Sequence, residues 1–250
     1  MTTRFGNRTA LVPILASLLT APAAAQAVRW TVDPARSLAW WQIDPHYEHL
    51  WATTCPDDPS WQAGEGRSPG YYVDYSTRPV TVASGRSDTR IPLFPRHRVR
   101  PVCRHAIRGE VTASDSRWSG ARGTVVVLTD SLVTGLDMRD SYARRFIFET
   151  GKYPELRFRL DSLVGIQPGD TLRATAIGTF EAHGVPYPVT VPLTAVPEDG
   201  GLRVRGQFSF EAPLLVEHFK MSRWKLGMGI GYKRWKTVHA GVDLVLVPAP

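Results

Sequence analysis

The chain has 250 residues, with 30 Lys and Arg against 23 Asp and Glu, a formal net charge of +7, two cysteines and 43% hydrophobic residues. That length allows one large β domain or two small ones. A balance this moderately basic does not by itself imply nucleic acid, and suits an anionic membrane surface or simple solubility.

The first 27 residues read as a removable leader. Arg4 and Arg8 precede an apolar run from Ala10 to Ala21, and small residues follow to Ala25-Gln26-Ala27. Basic, apolar, small is the order of a secretory signal peptide, and the apolar core is too short to span a bilayer of about 30 Å. Cleavage there removes two arginines and leaves residues 28–250 as a single domain, periplasmic or secreted. Nothing later in the chain reaches the apolar length of a membrane-crossing helix.

Arg29 to Asp33 and Leu38 to Ile43 read as opening strands. Residues from about 45 to 101 are rich in Pro, Gly, Asp and Ser and read as a long irregular insertion, with a short hairpin around Gly70 to Val82. Cys55 lies within it and Cys103 just beyond its end. In an exported chain an isolated pair is most simply one disulfide, closing a loop of about 48 residues and worth about 4 kcal/mol. Free thiols or a metal pair is the alternative.

Ile107 to Val111 and Gly123 to Leu128 resume the sheet. Asp137 to Phe148 is the helical candidate, with Met138, Tyr142, Arg145 and Phe146 near helical spacing and Asp137 or Asp140 placed to cap it. Period-two alternation then dominates. Leu156, Phe158 and Leu160 alternate with Arg157, Arg159 and Asp161. Leu172, Ala174, Ala176, Gly178 and Phe180 share one parity, as do Val189, Val191 and Leu193. Leu202, Val204, Gly206, Phe208 and Phe210 follow, and Val242, Leu244 and Leu246 close the chain. Turn signals separate them at Pro168-Gly169-Asp170, His183-Gly184 and Glu198-Asp199-Gly200-Gly201. Regular strands joined by short turns predict an all-β fold: an antiparallel up-and-down barrel of about eight strands, with one short helix. Closure removes the open edges that a sheet this long would otherwise expose.

The residues expected to line the barrel are Phe146, Phe148, Phe158, Leu172, Ala174, Ala176, Gly178, Phe180, Val191, Val204, Gly206, Phe208, Phe210 and Leu244. Large residues at strand ends with small ones between leave room for an apolar guest. The alternative is that the small residues relieve crowding where strands bend.

Catalysis finds no motif. There is no Gly-x-Ser-x-Gly elbow, no Cys-x-x-Cys and no His-Glu-x-x-His, and the carboxylates lie scattered on polar faces. His46 and His49, three apart near Cys55, with Cys103 and His105 beyond, are the one metal alternative. The expectation is neither enzyme nor metal site nor cofactor. Between Lys220 and Lys236, six Lys and Arg interleave with Trp224, Tyr232 and Trp235. That segment suits contact with anionic lipid headgroups, or forms a solvated hairpin covering the barrel mouth. Export argues against nucleic acid as its partner.

Ser131-Leu132-Val133-Thr134-Gly135, Arg139-Asp140, Phe146-Ile147-Phe148-Glu149, Tyr153-Pro154 and Gly178 through Val189 occur in one order and spacing. Together with Trp30-Thr31-Val32-Asp33 they resemble the YceI family of polyisoprenoid-binding, lipocalin-like barrels, over Arg29 to Asp33 and Ile107 to Val247. The resemblance implies a barrel enclosing a long isoprenoid chain or quinone tail, no catalytic group, and often a homodimer. The cysteine-containing insertion and the basic aromatic segment depart from the family pattern.

Overall fold

The computed structural model describes residues 27–44, 50–54, 68–74, 81–87, 106–115, 118–133, 137–222 and 235–249. The expected leader before residue 27, both cysteines, His46, His49, His105 and residues 223–234 of the basic segment lie outside the described residues.

The strands, in chain order, are β1 (Val28–Val32), β2 (Leu38–Asp44), β3 (Leu50–Thr54), β4 (Ser68–Asp74), β5 (Thr81–Ser87), β6 (Ile107–Ala113) and β7 (Arg122–Leu128). They continue with β8 (Leu132–Val133), β9 (Glu155–Gln167), β10 (Leu172–Ala182), β11 (Val185–Glu198), β12 (Gly201–Glu211) and β13 (Thr237–Pro248). Hydrogen-bonded neighbours run β1, β6, β7, β9, β10, β11, β12, β13, and β13 pairs back to β1. The barrel is closed, antiparallel and eight-stranded, as the alternation predicts.

Three of the eight wall positions are built from two strands each. β2 carries on from β1 along the same partner: Trp30 to Val32 face Pro248 to Leu246, and Leu38 to Asp44 face Asp243 to Thr237. β3 pairs with β2 as β6 pairs with β1, and β8 pairs with β3 as β7 pairs with β6. A break therefore crosses three adjacent positions at one level. Its first part follows from the sequence Asp33-Pro34-Ala35-Arg36-Ser37. Pro34 has no N–H for a ladder. The Asp33 carboxylate accepts hydrogen bonds from the Ala35 amide at 2.9 Å and the Arg36 Nε at 2.7 Å, closing a turn.

Buried hydroxyls repair the ladder along this break. Ser37 Oγ accepts from the Val245 amide at 2.9 Å, and Thr54 Oγ1 accepts from the Ala39 amide at 2.9 Å. Thr129 Oγ1 donates to the Tyr153 carbonyl at 3.0 Å, and Ser131 Oγ donates to that of Leu128 at 2.5 Å. All four residues are buried. Each gives a backbone group a side-chain partner where the ladder is interrupted.

The chain leaves the wall after Thr54 and re-enters at Ala106. Thr54 sits opposite Leu132, and the Ala106 carbonyl accepts from the Leu128 amide. Those two partners are four residues apart, at most about 13 Å along the wall at about 3.3 Å per residue, so exit and re-entry lie on the same stretch of the wall. The irregular stretch expected over 45–101 thus contains a wall strand, Leu50–Thr54. Ser68–Asp74 and Thr81–Ser87 pair as a two-stranded sheet of their own, where a hairpin was expected.

At the other end of the wall, α1 (Asp137–Tyr142) passes into a π turn over Ala143–Ile147, with the Phe148 amide bonded to the Ala143 carbonyl. A single turn of helix, α2 (Leu214–Glu217), which the sequence pattern did not announce, lies between β12 and β13. No helix among the described residues is long and apolar enough to cross a membrane.

Candidate ligand-binding site

The register from β10 to β13 turns one parity inward. Ala176, Val191 and Leu193, Val204 and Gly206, and Val242 and Leu244 meet across neighbouring strands. No charged residue occupies an inward position in these four strands. Charges sit outside, where Arg203 bridges Glu198 and Asp243, with Nη1 2.8 Å from Asp243 Oδ1, and Arg205 Nε reaches Asp243 Oδ2 at 3.0 Å. The Arg203 hydrogen bonds hold the Glu198 carboxyl below the ordinary range, against its partial desolvation.

Two apolar clusters fill the ends of the barrel. The lower includes Val32, Ile107, Val111, Leu160, Ala176, Val191, Leu244 and Leu246, and Trp30 and Trp118 stack against it with centroids 5.5 Å apart. The upper gathers Ile43, Phe210, Ala212, Leu215, Phe219, Met221, Trp235 and Val238. Phe219 is fully buried, 5.5 Å from the Phe210 ring and 5.9 Å from those of Phe180 and Tyr187. Leu156, Phe180, Tyr187 and Phe208 touch both clusters.

His183 ties the connections over the upper end together. It occupies the β10–β11 turn at φ +54°, with Gly184 at φ +73°, the left-handed pair that a two-residue hairpin demands. Its Nδ1 lies 3.0 Å from the Phe219 carbonyl, and its ring centroid 3.8 Å from that of Tyr153. Nε2 is 3.2 Å from a Glu149 carboxylate oxygen, within ion-pair range but off the line of a hydrogen bond.

Of the expected lining residues, Ala174, Ala176, Gly178, Val191, Gly206, Phe210 and Leu244 are buried. Phe158, Phe180, Val204 and Phe208 take inward positions yet remain half-buried, as do Leu156, Leu193 and Val242, which the expected list lacks. Phe148 packs with the upper cluster. Phe146 stacks instead on Tyr142 at 5.1 Å, with the Arg145 guanidinium over its ring, and joins neither cluster. Leu172 is half-buried at the lower end of β10, opposite Ala195, and joins neither cluster.

The glycines open less space than their size promises. A Cβ on Gly178 would meet the Phe158 ring and the Arg159 carbonyl, beside a shift in the β9–β10 register; one on Gly206 would meet Leu193 and Val191. At both positions neighbouring side chains already occupy the room. Here the small residues relieve crowding, the alternative left open by the sequence.

Trp41, on β2, shares an inward parity with Ala39 and Ile43, which belong to the lower and upper clusters. Its ring packs edge-on to Phe148, centroids 6.4 Å apart. Its Nε1 is buried without a hydrogen-bond partner. Alternation along Leu38 to Ile43 placed a strand here, but no sequence signal marks which indole nitrogen goes unpartnered.

No curated protein sequence matches the chain. Among solved structures it is similar to Burkholderia cenocepacia BcnA, at 14% identity and TM-score 0.50, over 86% of this chain and 98% of that one. It is also similar to a polyisoprenoid binding domain from Saccharophagus degradans implicated in plant cell wall breakdown, at 15% identity and TM-score 0.47, over 89% and 99%. A Campylobacter jejuni YceI protein matches at 14% identity and TM-score 0.37, over 52% of this chain and 72% of its own. The family model described as the YceI-like domain matches residues 96–246, well over half of the sequence, and the chain belongs to that family.

Proposed function

We propose that the protein binds a long-chain apolar lipid, a polyisoprenoid or isoprenoid quinone, inside its barrel and catalyses no reaction. The observation that carries this reading is the state of the inward side chains. Phe158, Phe180, Val204, Phe208 and Val242 point into a closed ring and keep part of their surface uncovered. A plugged barrel covers such residues. The inward positions of β10 to β13 offer apolar surface, one phenol at Tyr187 and no charge, so a guest is held chiefly by exclusion from water, at about 0.8 kcal/mol for each methylene buried. A polyisoprenoid binding domain among its structural relatives supports the same ligand class.

The site is lined by the interior residues expected from the sequence, with Leu156, Leu193 and Val242 added and Phe146 left aside. The leader assigns the mature protein, residues 28–250, to the periplasm or the extracellular space, where it carries, stores or shields lipid in the cell envelope. Cys55 and Cys103 form a disulfide there. The segment from Lys220 to Lys236 touches the membrane surface from which lipid is taken, and the protein pairs as a homodimer.

Protein purified gently from its native host should yield one isoprenoid lipid per chain on organic extraction and mass spectrometry. Absence of stoichiometric lipid, with added long-chain quinones failing to bind, overturns the reading. A barrel filled by its own side chains and used as an interaction module then takes its place.

A further inference from the structure

We infer that the Trp41 indole N–H is the donor that holds the guest's head, and that this head is an uncharged oxygen acceptor, a carbonyl. The inference rests on the lipid-binding reading and adds to it a polar contact and a direction.

Along the break in the wall the buried hydroxyls find partners: those of Ser37, Thr54, Thr129 and Ser131 all meet backbone groups. Trp41 departs from that pattern. Its Nε1 is shut from water and meets no acceptor, though a Phe at the same place would pack against Phe148 with no donor left over. A buried donor without a partner is destabilising unless something supplies an acceptor. Two other buried polar atoms have different settings: His183 Nε2 faces a carboxylate, and Gln207, whose Oε1 is an acceptor, takes the outer-face parity opposite Gly241.

Chemistry then narrows the acceptor. The inward positions of β10 to β13 carry no cation, so a phosphate or diphosphate head would lie in apolar surroundings without a counter-charge. A neutral carbonyl needs only one donor, and an indole N–H, which cannot accept, suits it. Trp41 packs with Phe148, just beyond the π turn, so the head lies at the upper end. The tail runs down past Phe158, Val204 and Val242 toward Trp30 and Trp118.

The test compares a polyprenyl 1,4-benzoquinone with squalene, a hydrocarbon of isoprene units without an acceptor. Trp41→Phe should weaken the quinone by about fivefold, the loss of one neutral hydrogen bond, and leave squalene unchanged. Equal loss for both ligands, or loss for neither, overturns the role of Trp41 while leaving lipid binding in place. Failure of the wild-type protein to bind either ligand overturns the lipid-binding reading itself. Should the variant not fold, wild-type protein with 15N-labelled indoles carries the test. One indole N–H resonance of the eight tryptophans should move downfield with the quinone and stay with squalene; the absence of any quinone-specific shift overturns the inference.

Discussion

The Ser37 hydroxyl accepts the amide hydrogen of Val245 at 2.9 Å, joining residues 208 apart in the chain at the level where β1 gives way to β2. Val245 is fully buried, so no water replaces that partner. Ser37→Ala should cost about 1–3 kcal/mol, the penalty of an unsatisfied buried amide. Thr54→Val keeps the shape of its side chain and strips the acceptor from the Ala39 amide, and should cost a similar amount. Thr54→Ser restores the hydroxyl and most of the stability. Denaturant midpoints at constant m-value measure all three. Equal stability of Thr54→Val and wild type would show that the hydroxyl is not what holds the break.

His183 joins the turn between β10 and β11 to the Phe219 carbonyl and stacks on Tyr153. His183→Ala loses both contacts and leaves a side chain with a Cβ at φ +54°. Stability should fall by about 1–2 kcal/mol, or about 2–8 °C in Tm for a chain of this size. His183→Asn tolerates the left-handed backbone and keeps an N–H for the carbonyl, and should recover most of the loss. A melt of His183→Asn as low as that of His183→Ala would assign the effect to the aromatic stack alone.

What was legible beforehand followed from repetition. From Leu156 to Leu246 every strand shows several inward and outward turns of alternation, and the four strands β9 to β12 are joined by short turns, a pattern that continues most economically into a closed barrel. Leu50 to Thr54 is only five residues long and is flanked by sequence rich in Pro, Asp and Gly on its C-terminal side, too little to reveal a period, so the sequence alone merges this wall strand with the insertion. Leu214 to Glu217 is one turn of helix, made by the packing of Leu215 and Phe219 rather than by propensity. Parity told which residues face inward but not how much room they leave. Gly178 and Gly206 are covered by side chains of adjacent strands, a property of three-dimensional neighbours. The unpartnered nitrogen of Trp41 is of the same kind.

Acid should weaken the outer belt of β11, β12 and β13. Arg203, hydrogen-bonded to Glu198, holds that carboxyl below its ordinary value, so the folded chain binds this proton less tightly than the unfolded one. The pair therefore stabilises above the unfolded value of about 4.3, and its contribution disappears as pH falls through the lower folded value. Glu198→Gln should be less stable than wild type near neutral pH by under about 1 kcal/mol, because the pair is partly exposed and screened. The two stability curves should converge below about pH 4. Parallel curves down to pH 3 would place the acid sensitivity elsewhere.

Val204 and Ala176 both face inward, and they separate an occupied interior from an open one. Ala176 is completely covered, so Ala176→Trp has to displace its neighbours and should cost about 1–3 kcal/mol. Val204, paired with Leu244 and Ala195, is only half-buried. A larger ring there extends into uncovered space, and Val204→Trp should change stability by less than about 1 kcal/mol. The same ring takes the volume a guest needs, and lipid binding should fall by more than about tenfold, the equivalent of 1.4 kcal/mol. Equilibrium unfolding and titration with a polyprenyl quinone separate the two effects. A Val204→Trp protein as destabilised as Ala176→Trp means that nothing was open beside Val204, and the barrel is then a solid scaffold. A stable protein that no longer binds means that the space was the site.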